Sequence, residues 1–368
     1  MCTCESPSGF SIRFIFAKLV LNHATNHTHQ RYVQTEQKNM NKILIILLSL
    51  ISFSIFSQTT SEINGFSEKY KGKLTIENGF EDDVFKKGEI SIYDINKNII
   101  TIKSEEFTFE LTSDGNIETD IVELPYGKQS IIIYQDFNFD GKKDLALMDG
   151  QYSCYHGPSF QVYLETGDDL KHSPEFTRLA QEYCGMFQVD YESETINTMT
   201  KSGCCWHQFS EFKVEENKPI PIKIVERGFS PDGLTEDYVE KNRIDDTLVE
   251  IKYSYLAEEI DIIEMYSMNF ENEKKLSVFR AFASEDYLFY VFTDKNSKIE
   301  LLYRDEFVYN INKTTLTFIN KNVEYKIDSG GILVKTPKRK VYLKAKEIGE
   351  NVTLSSLSEL KLKNLKIK

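Results

Sequence analysis

Residues 136–144 read Asp136-Phe137-Asn138-Phe139-Asp140-Gly141-Lys142-Lys143-Asp144. Oxygen-bearing side chains at the first, third, fifth and ninth places converge when such a loop curls on itself, and Gly141 permits the sharp turn between them. A hard cation such as Ca²⁺ takes six to eight oxygens at a centre of this kind. Asp136, Asn138, Asp140 and Asp144 would supply side-chain oxygens, and Lys142 its backbone carbonyl. Without a cation the three carboxylates would repel one another, and the segment would be an Asx-rich hairpin. The pattern departs from an EF-hand at the twelfth place, where Leu147 stands instead of a bidentate Glu. The residues after the loop are too few for an EF helix, so a strand is expected there, with a calcium affinity of the modest extracellular kind, roughly 10⁻⁴ to 10⁻³ M.

A second dense segment is Ser202-Gly203-Cys204-Cys205-Trp206-His207. Two thiols and an imidazole suggest zinc, but adjacent thiols without a matching fourth ligand point to bridges and a packed Trp. With Cys154 and Cys184 these make four cysteines beyond residue 57, the even number expected of a chain that lives in an oxidising compartment. A bridge between neighbouring residues is strained, so the expected pairing sends one of Cys204 and Cys205 to Cys154 and the other to Cys184. A bridged cysteine has no thiolate, which argues against Cys–His catalysis. His156 and His172 read as surface residues rather than bases. The chain has no His-Glu-x-x-His, no Gly-x-Ser-x-Gly, no phosphate-cradling glycine loop and no dinucleotide fingerprint. A carboxylate pair of the glycosidase kind meets in space, not in sequence, and stays open.

The elements that must carry these residues are strands. Short β-branched and aromatic runs at 73–76, 90–95, 99–102, 107–111 and 130–134 are bounded by Asn, Asp, Gly or Lys clusters, the rhythm of an all-β protein. One helix is expected at 173–183, where Ser173 can cap, Pro174 fits the first position, and Phe176, Leu179 and Ala180 share a face. The polar stretch 229–246, with Pro231, Gly233 and mixed charges, reads as a linker between a calcium-loop domain at 58–228 and a second antiparallel β domain at 247–368. Strands resume at 249–255, 260–266, 276–282, 287–292, 299–302, 315–319, 323–327 and 341–343. The alternating Lys and Leu or Ile of 360–368 suit a final edge strand. Each domain is expected as a sandwich or a partial, propeller-like sheet array.

Upstream, Met40-Asn41-Lys42 precedes an apolar run from Ile43 to Phe56 closed by Ser57. That order is a secretory signal peptide cleaved near Ser57, and the run is shorter than the roughly 20 apolar residues that span a bilayer. Residues 1–39 have no place before such a signal and read as a start codon taken too early. From Gln58 onward 39 Lys and Arg face 55 Asp and Glu, a net charge of −16. Nucleic acid and anionic membrane are therefore poor partners, and a basic protein is a favoured one.

The string Tyr134 to Leu147 (YQDFNFDGKKDLAL), with Gly157 to Leu164, Phe187 to Asp190 and Ser202 to His207, resembles secreted bacterial proteins that carry an FG-GAP or VCBS-like calcium loop. The resemblance covers roughly residues 88–226, and the family's loop ligands map onto Asp136, Asn138, Asp140, Lys142 and Asp144. It implies a kinship with periplasmic immunity proteins, which inhibit lysozyme-like peptidoglycan hydrolases delivered by rival cells through a secretion system. The expected function is thus a non-enzymatic, calcium-stabilised binding protein of the periplasm or cell surface. A glycan-binding or adhesion module and a secreted hydrolase with an unmarked carboxylate pair are the alternatives. Export has a direct test: N-terminal sequencing of the secreted protein should begin near Gln58, whereas intact Met1 on a cytoplasmic protein would refute it.

Overall fold

A computed structural model describes residues 58–368, apart from 96, 125–126, 168, 259, 283–285 and 351–352. The expected signal peptide and the upstream extension lie outside the described residues. The chain is almost wholly β. Strands β1 (Thr59–Ile63), β2 (Tyr70–Ile76), β3 (Lys86–Asp94) and β4 (Lys97–Phe107) form an antiparallel sheet in chain order. A second sheet, again in chain order, joins β5 (Ile132–Gln135), β6 (Asp144–Ser153), β7 (Gly157–Thr166) and β8 (Asp169–His172). Helix α1 (Pro174–Glu182) follows, and packs on β7.

A third sheet runs through β9 (Gln188–Asp190), β10 (Thr195–Ser202), β11 (Trp206–Glu215), β12 (Lys218–Phe229), β13 (Thr235–Ile244) and β14 (Thr247–Leu256). The fourth contains β15 (Ile262–Asn269), β16 (Lys275–Ala281), β17 (Tyr287–Thr293) and β18 (Ile299–Tyr303). The fifth contains β19 (Phe307–Asn310), β20 (Thr315–Asn320), β21 (Val323–Asp328), β22 (Gly331–Lys335) and β23 (Lys340–Lys344). Strand β24 (Glu347–Ile348) then returns to pair with β15, and β25 (Leu365–Ile367) lies parallel to β19 at the edge of the fifth sheet.

Alternation of side chains explains why these runs are strands. In β4 the residues at 100, 102 and 104 are buried while 101, 103 and 105 are exposed, the period of two that buries one face. Strand β6 breaks this pattern because both of its faces are covered: every residue from Asp144 to Tyr152 but Tyr152 itself is buried. Helix α1 begins where Ser173 Oγ accepts the N–H of Phe176, and it buries Phe176, Thr177, Leu179 and Ala180.

Three readings are corrected. Residues 229–246 are not a linker: they hold the end of β12, the turn and β13, and Leu234 is 5% exposed in a small core with Ala281, Phe289 and Val291. Polar residues dominate there because most of β13 faces water at least in part, and Gln58–Lys368 forms one compact unit. Strand pairing in 107–111 ends at Phe107. The cysteine pairing also differs. Cys154 bonds Cys184, with Cα atoms 4.8 Å apart, and Cys204 bonds its neighbour Cys205. Register explains the outcome: Gly203, Cys204 and Cys205 form the turn of the β10–β11 hairpin, while Cys154 follows β6 and Cys184 follows α1.

Two larger cores accompany the small one around Leu234. The larger draws on β1–β7, α1 and the near ends of β10 and β11; the other lies between the fourth and fifth sheets around Tyr290, Phe307 and Phe318. Because the Cys154–Cys184 bridge closes a 30-residue separation, replacing both cysteines with Ala should cost ~2–5 kcal/mol of stability. Peptide mapping without reduction should give that one cross-link and keep Cys204 with Cys205; any link between the two pairs contradicts the assignment.

Candidate calcium loop and an exposed aromatic ridge

The loop 136–143 joins β5 to β6, whose register sets Gln135 opposite Asp144. Phe137 anchors it, fully buried with its ring edge-on to Phe187 at 5.2 Å. Polar side chains then fold back onto the loop's own backbone. Asp136 accepts the N–H of Asp140 (3.2 Å) and of Gly141 (2.9 Å) through its two oxygens. Asn138 Oδ1 accepts from Asp140 N at 3.3 Å, and Asp140 Oδ1 from Lys142 N at 2.9 Å. These bonds hold the curl, and Gly141 makes it feasible at φ +84°, a left-handed value that a side chain resists.

Asp144 stands apart. Its carboxylate is wholly buried, accepts the N–H of Phe137 (2.9 Å) on one oxygen and of Glu165 (2.8 Å) on the other, and so ties the loop to β7. Burial above all, reinforced by the charges of Asp140 and Asp136, pushes its pKa up to about 7 against the pull of those two N–H groups. The sequence-predicted residues thus share one loop and feel one another's charge. Among the described residues no three His, Cys, Asp or Glu side chains stand close enough together to hold a metal ion, so the loop's carboxylates are engaged with N–H donors instead. Its donor set is oxygen throughout, which suits a hard cation and not zinc. Asn217, which sequence reasoning missed, accepts from Asn138 Nδ2 at 2.8 Å and comes from the β11–β12 turn, where φ +60° favours Asn.

At the far end of β6 lies an arrangement the sequence did not announce. Tyr155 and His156 both have left-handed backbones, φ 53° and 60°, a strain of order 1–3 kcal/mol each. Both side chains are more than half exposed. The turn is held by the Cys154–Cys184 bridge, by Ser153 Oγ accepting from Gly185 N (3.1 Å), and by Tyr155 Oη accepting from Gly203 N (2.5 Å) in the turn that carries the other bridge. The His156 ring meets Phe85 edge-on at 5.2 Å and its Nε2 lies 3.4 Å from Glu106. Val84 and Phe85 are exposed on the loop that meets it, which also carries Asp82 and Asp83. Three loops therefore build one aromatic ridge with an acidic flank. His172, by contrast, is an exposed residue bonded to Gln161 and Thr177, and His207 stacks on Phe209.

No protein-family model matches this sequence, and no curated protein is similar to it. Among solved structures, a Xanthomonas protein related to the type IV secretion system is 17% identical, with a TM-score of 0.41, covering 54% of this chain and 94% of its own. A Bacteroides uniformis protein provisionally named a 6-phosphogluconolactonase is 11% identical over 78% of this chain and 87% of its own, with a TM-score of 0.20. Similarities this low assign neither a fold family nor an activity.

The buried Asp144 carboxyl predicts a pH profile for the calcium-free protein. Its folded pKa lies above the unfolded value of about 3.9, so the folded state keeps a proton that the unfolded chain releases. Stability should therefore fall as pH rises from about 4 to about 7 and level off above, a loss on the order of 3–4 kcal/mol from this group. In chelator, thermal unfolding should be higher at pH 5 than at pH 7.5, and Asp144→Asn should flatten the difference. Equal slopes for both proteins would contradict the assignment.

Proposed function

We propose that this chain is a non-enzymatic binding protein of an oxidising compartment, stabilised by Ca²⁺ at the 136–144 loop, that docks on and blocks a basic, lysozyme-like peptidoglycan hydrolase. The observation that carries the reading is the strained and doubly clamped ridge of Tyr155 and His156. Backbone strain on exposed side chains persists only where the surroundings enforce it, and such outliers point to function. Exposed aromatic anchors on a rigid support lose little entropy on binding, which is how interfaces concentrate affinity. The acidic flank at Asp82, Asp83 and Glu106 and the net charge of −16 from Gln58 onward favour a basic partner. The two bridges suit an oxidising compartment, and among the described residues no helix is long and apolar enough to cross a membrane.

For calcium, Asp136, Asn138, Asp140 and Asp144 would give side-chain oxygens and Lys142 its carbonyl, with the ion offsetting the mutual repulsion that burial of Asp144 makes costly. At 100 times its dissociation constant Ca²⁺ should add ~2.7 kcal/mol of stability. Combined Asp136→Ala and Asp140→Ala should abolish that gain, and an unchanged melting temperature with millimolar Ca²⁺ would sink the calcium reading.

Inhibition itself is tested by turbidity clearance of cell walls with purified basic lysozyme-type hydrolases, at stoichiometric and excess inhibitor. Tyr155→Ala should weaken inhibition by about 30-fold or more, the scale of an interface hot spot of ~2 kcal/mol. Asp82→Lys with Asp83→Lys should slow association and reduce its salt dependence. Absence of inhibition across the panel removes the reading, and full potency of Tyr155→Ala removes the ridge.

A further inference from the structure

A groove of about 510 Å³ lies between the β13–β14 hairpin and strands β16 and β17, remote in sequence from the calcium loop and the ridge. Its walls carry three aromatic rings, Tyr238, Tyr255 and Phe279. None of them is loose. Tyr238 stacks on Tyr253 with centroids 5.2 Å apart and planes 8° from parallel, and Tyr255 sits edge-on to both at 5.6 and 5.7 Å. The Lys298 ammonium lies 3.7 Å from the Tyr253 ring centre. Phe279 stacks on fully buried Phe289 at 5.2 Å, so the core fixes its plane. Such rings are prearranged surfaces whose ordering cost folding has already met.

Polar groups ring the same space. Glu236 accepts the Tyr238 hydroxyl at 2.9 Å and lies 3.8 Å from Arg227. Glu258 is exposed at the rim, and Lys275 on the opposite wall pairs with Glu264 at 2.8 Å. Hydroxyls of Ser277 and Thr293 complete the lining. The size falls within the range of small-molecule sites, roughly 300–1,000 Å³.

The chemistry narrows the ligand. A phosphate or carboxylate would face two glutamates and one ammonium already neutralised, which disfavours anions. A fatty chain would strand the carboxylates and hydroxyls without partners. A cation would find Glu236 matched by Arg227. What remains is a neutral polyhydroxylated molecule with alternating apolar and hydroxyl faces, able to lay C–H surfaces on the rings and give hydroxyl hydrogens to Glu236 and Glu258. We propose that this groove binds a short neutral oligosaccharide. The site is independent of the hydrolase-binding reading, because it shares no residue with the ridge, and it would hold the protein against a glycan matrix.

The test uses the secreted full-length protein and three probes, N,N′-diacetylchitobiose, cellobiose and maltotriose, followed by saturation-transfer NMR and titration calorimetry. At least one probe should bind with a dissociation constant at or below the millimolar range. Glu258→Gln should weaken it about fivefold, and Tyr255→Ala by tenfold or more, with melting temperatures close to the parent protein's as the check on folding. Tyr155→Ala should leave saccharide binding unchanged. No binding at ~10 mM of any probe would overturn the proposal. Equal binding by the parent and both groove variants would overturn it as well, since the saccharide would then sit elsewhere. Preferential competition by inorganic phosphate or by a tetra-arginine peptide would do the same by assigning the groove to a charged ligand.

Discussion

A carboxylate buried with both oxygens occupied fixes the first half of this structure. Asp144 is the first residue of β6, and its two N–H donors come from the loop before it and from β7 beside it. The side chain thereby fastens the loop and two strands at a single point. A charge in that position is unfavourable by several kcal/mol unless something opposes it, and two N–H dipoles oppose it here. The loop thus has a built-in demand for a proton, which is why its protonation and the stability of the fold are one subject.

Strand β6 carries that constraint across the molecule. It is buried on both faces from Asp144 to Gln151, and register shifts against β7 near Gly150 twist its end outward before Cys154. Its start lies in the acidic loop and its end opens onto the ridge. Two disulfides and one tyrosine hydroxyl then hold in place what the strand's hydrogen bonds no longer reach. The division of labour is physical: ladder bonds order the interior, and covalent bridges order an exposed turn whose backbone would otherwise relax.

Much of this could be read from residue order. Most strands, the capped helix and the hairpin loop follow from local rules: period-two burial, the Ser173–Pro174 start, and oxygens spaced around a glycine. The errors came where the outcome rests on how strands are placed and registered. Residues 229–246 look like a linker because their composition is polar, yet Leu234 packs in a core with Phe289 and Val291. The cysteine pairing turned on hairpin register, since only the β10–β11 alignment shows that Cys204 and Cys205 share a turn. The strain at Tyr155 and His156 left no mark in sequence at all, because nothing about those residue types asks for a left-handed backbone. The groove was equally silent, its three aromatic residues being spread over three strands.

Strand order has a consequence for how such a chain emerges during synthesis. The first three sheets are built from successive neighbours, so each can close as its last strand arrives, with short loops and little entropic delay. The fourth and fifth cannot. Strand β15 waits for β24, and β19 waits for β25, each far downstream, so two rows of backbone donors and acceptors stand open in the meantime. Open edges of this kind recruit foreign strands. The vulnerable interval in the life of this protein is therefore the time between the arrival of residue 269 and that of residue 367, and a holdase that covers nascent strand edges has most to do there.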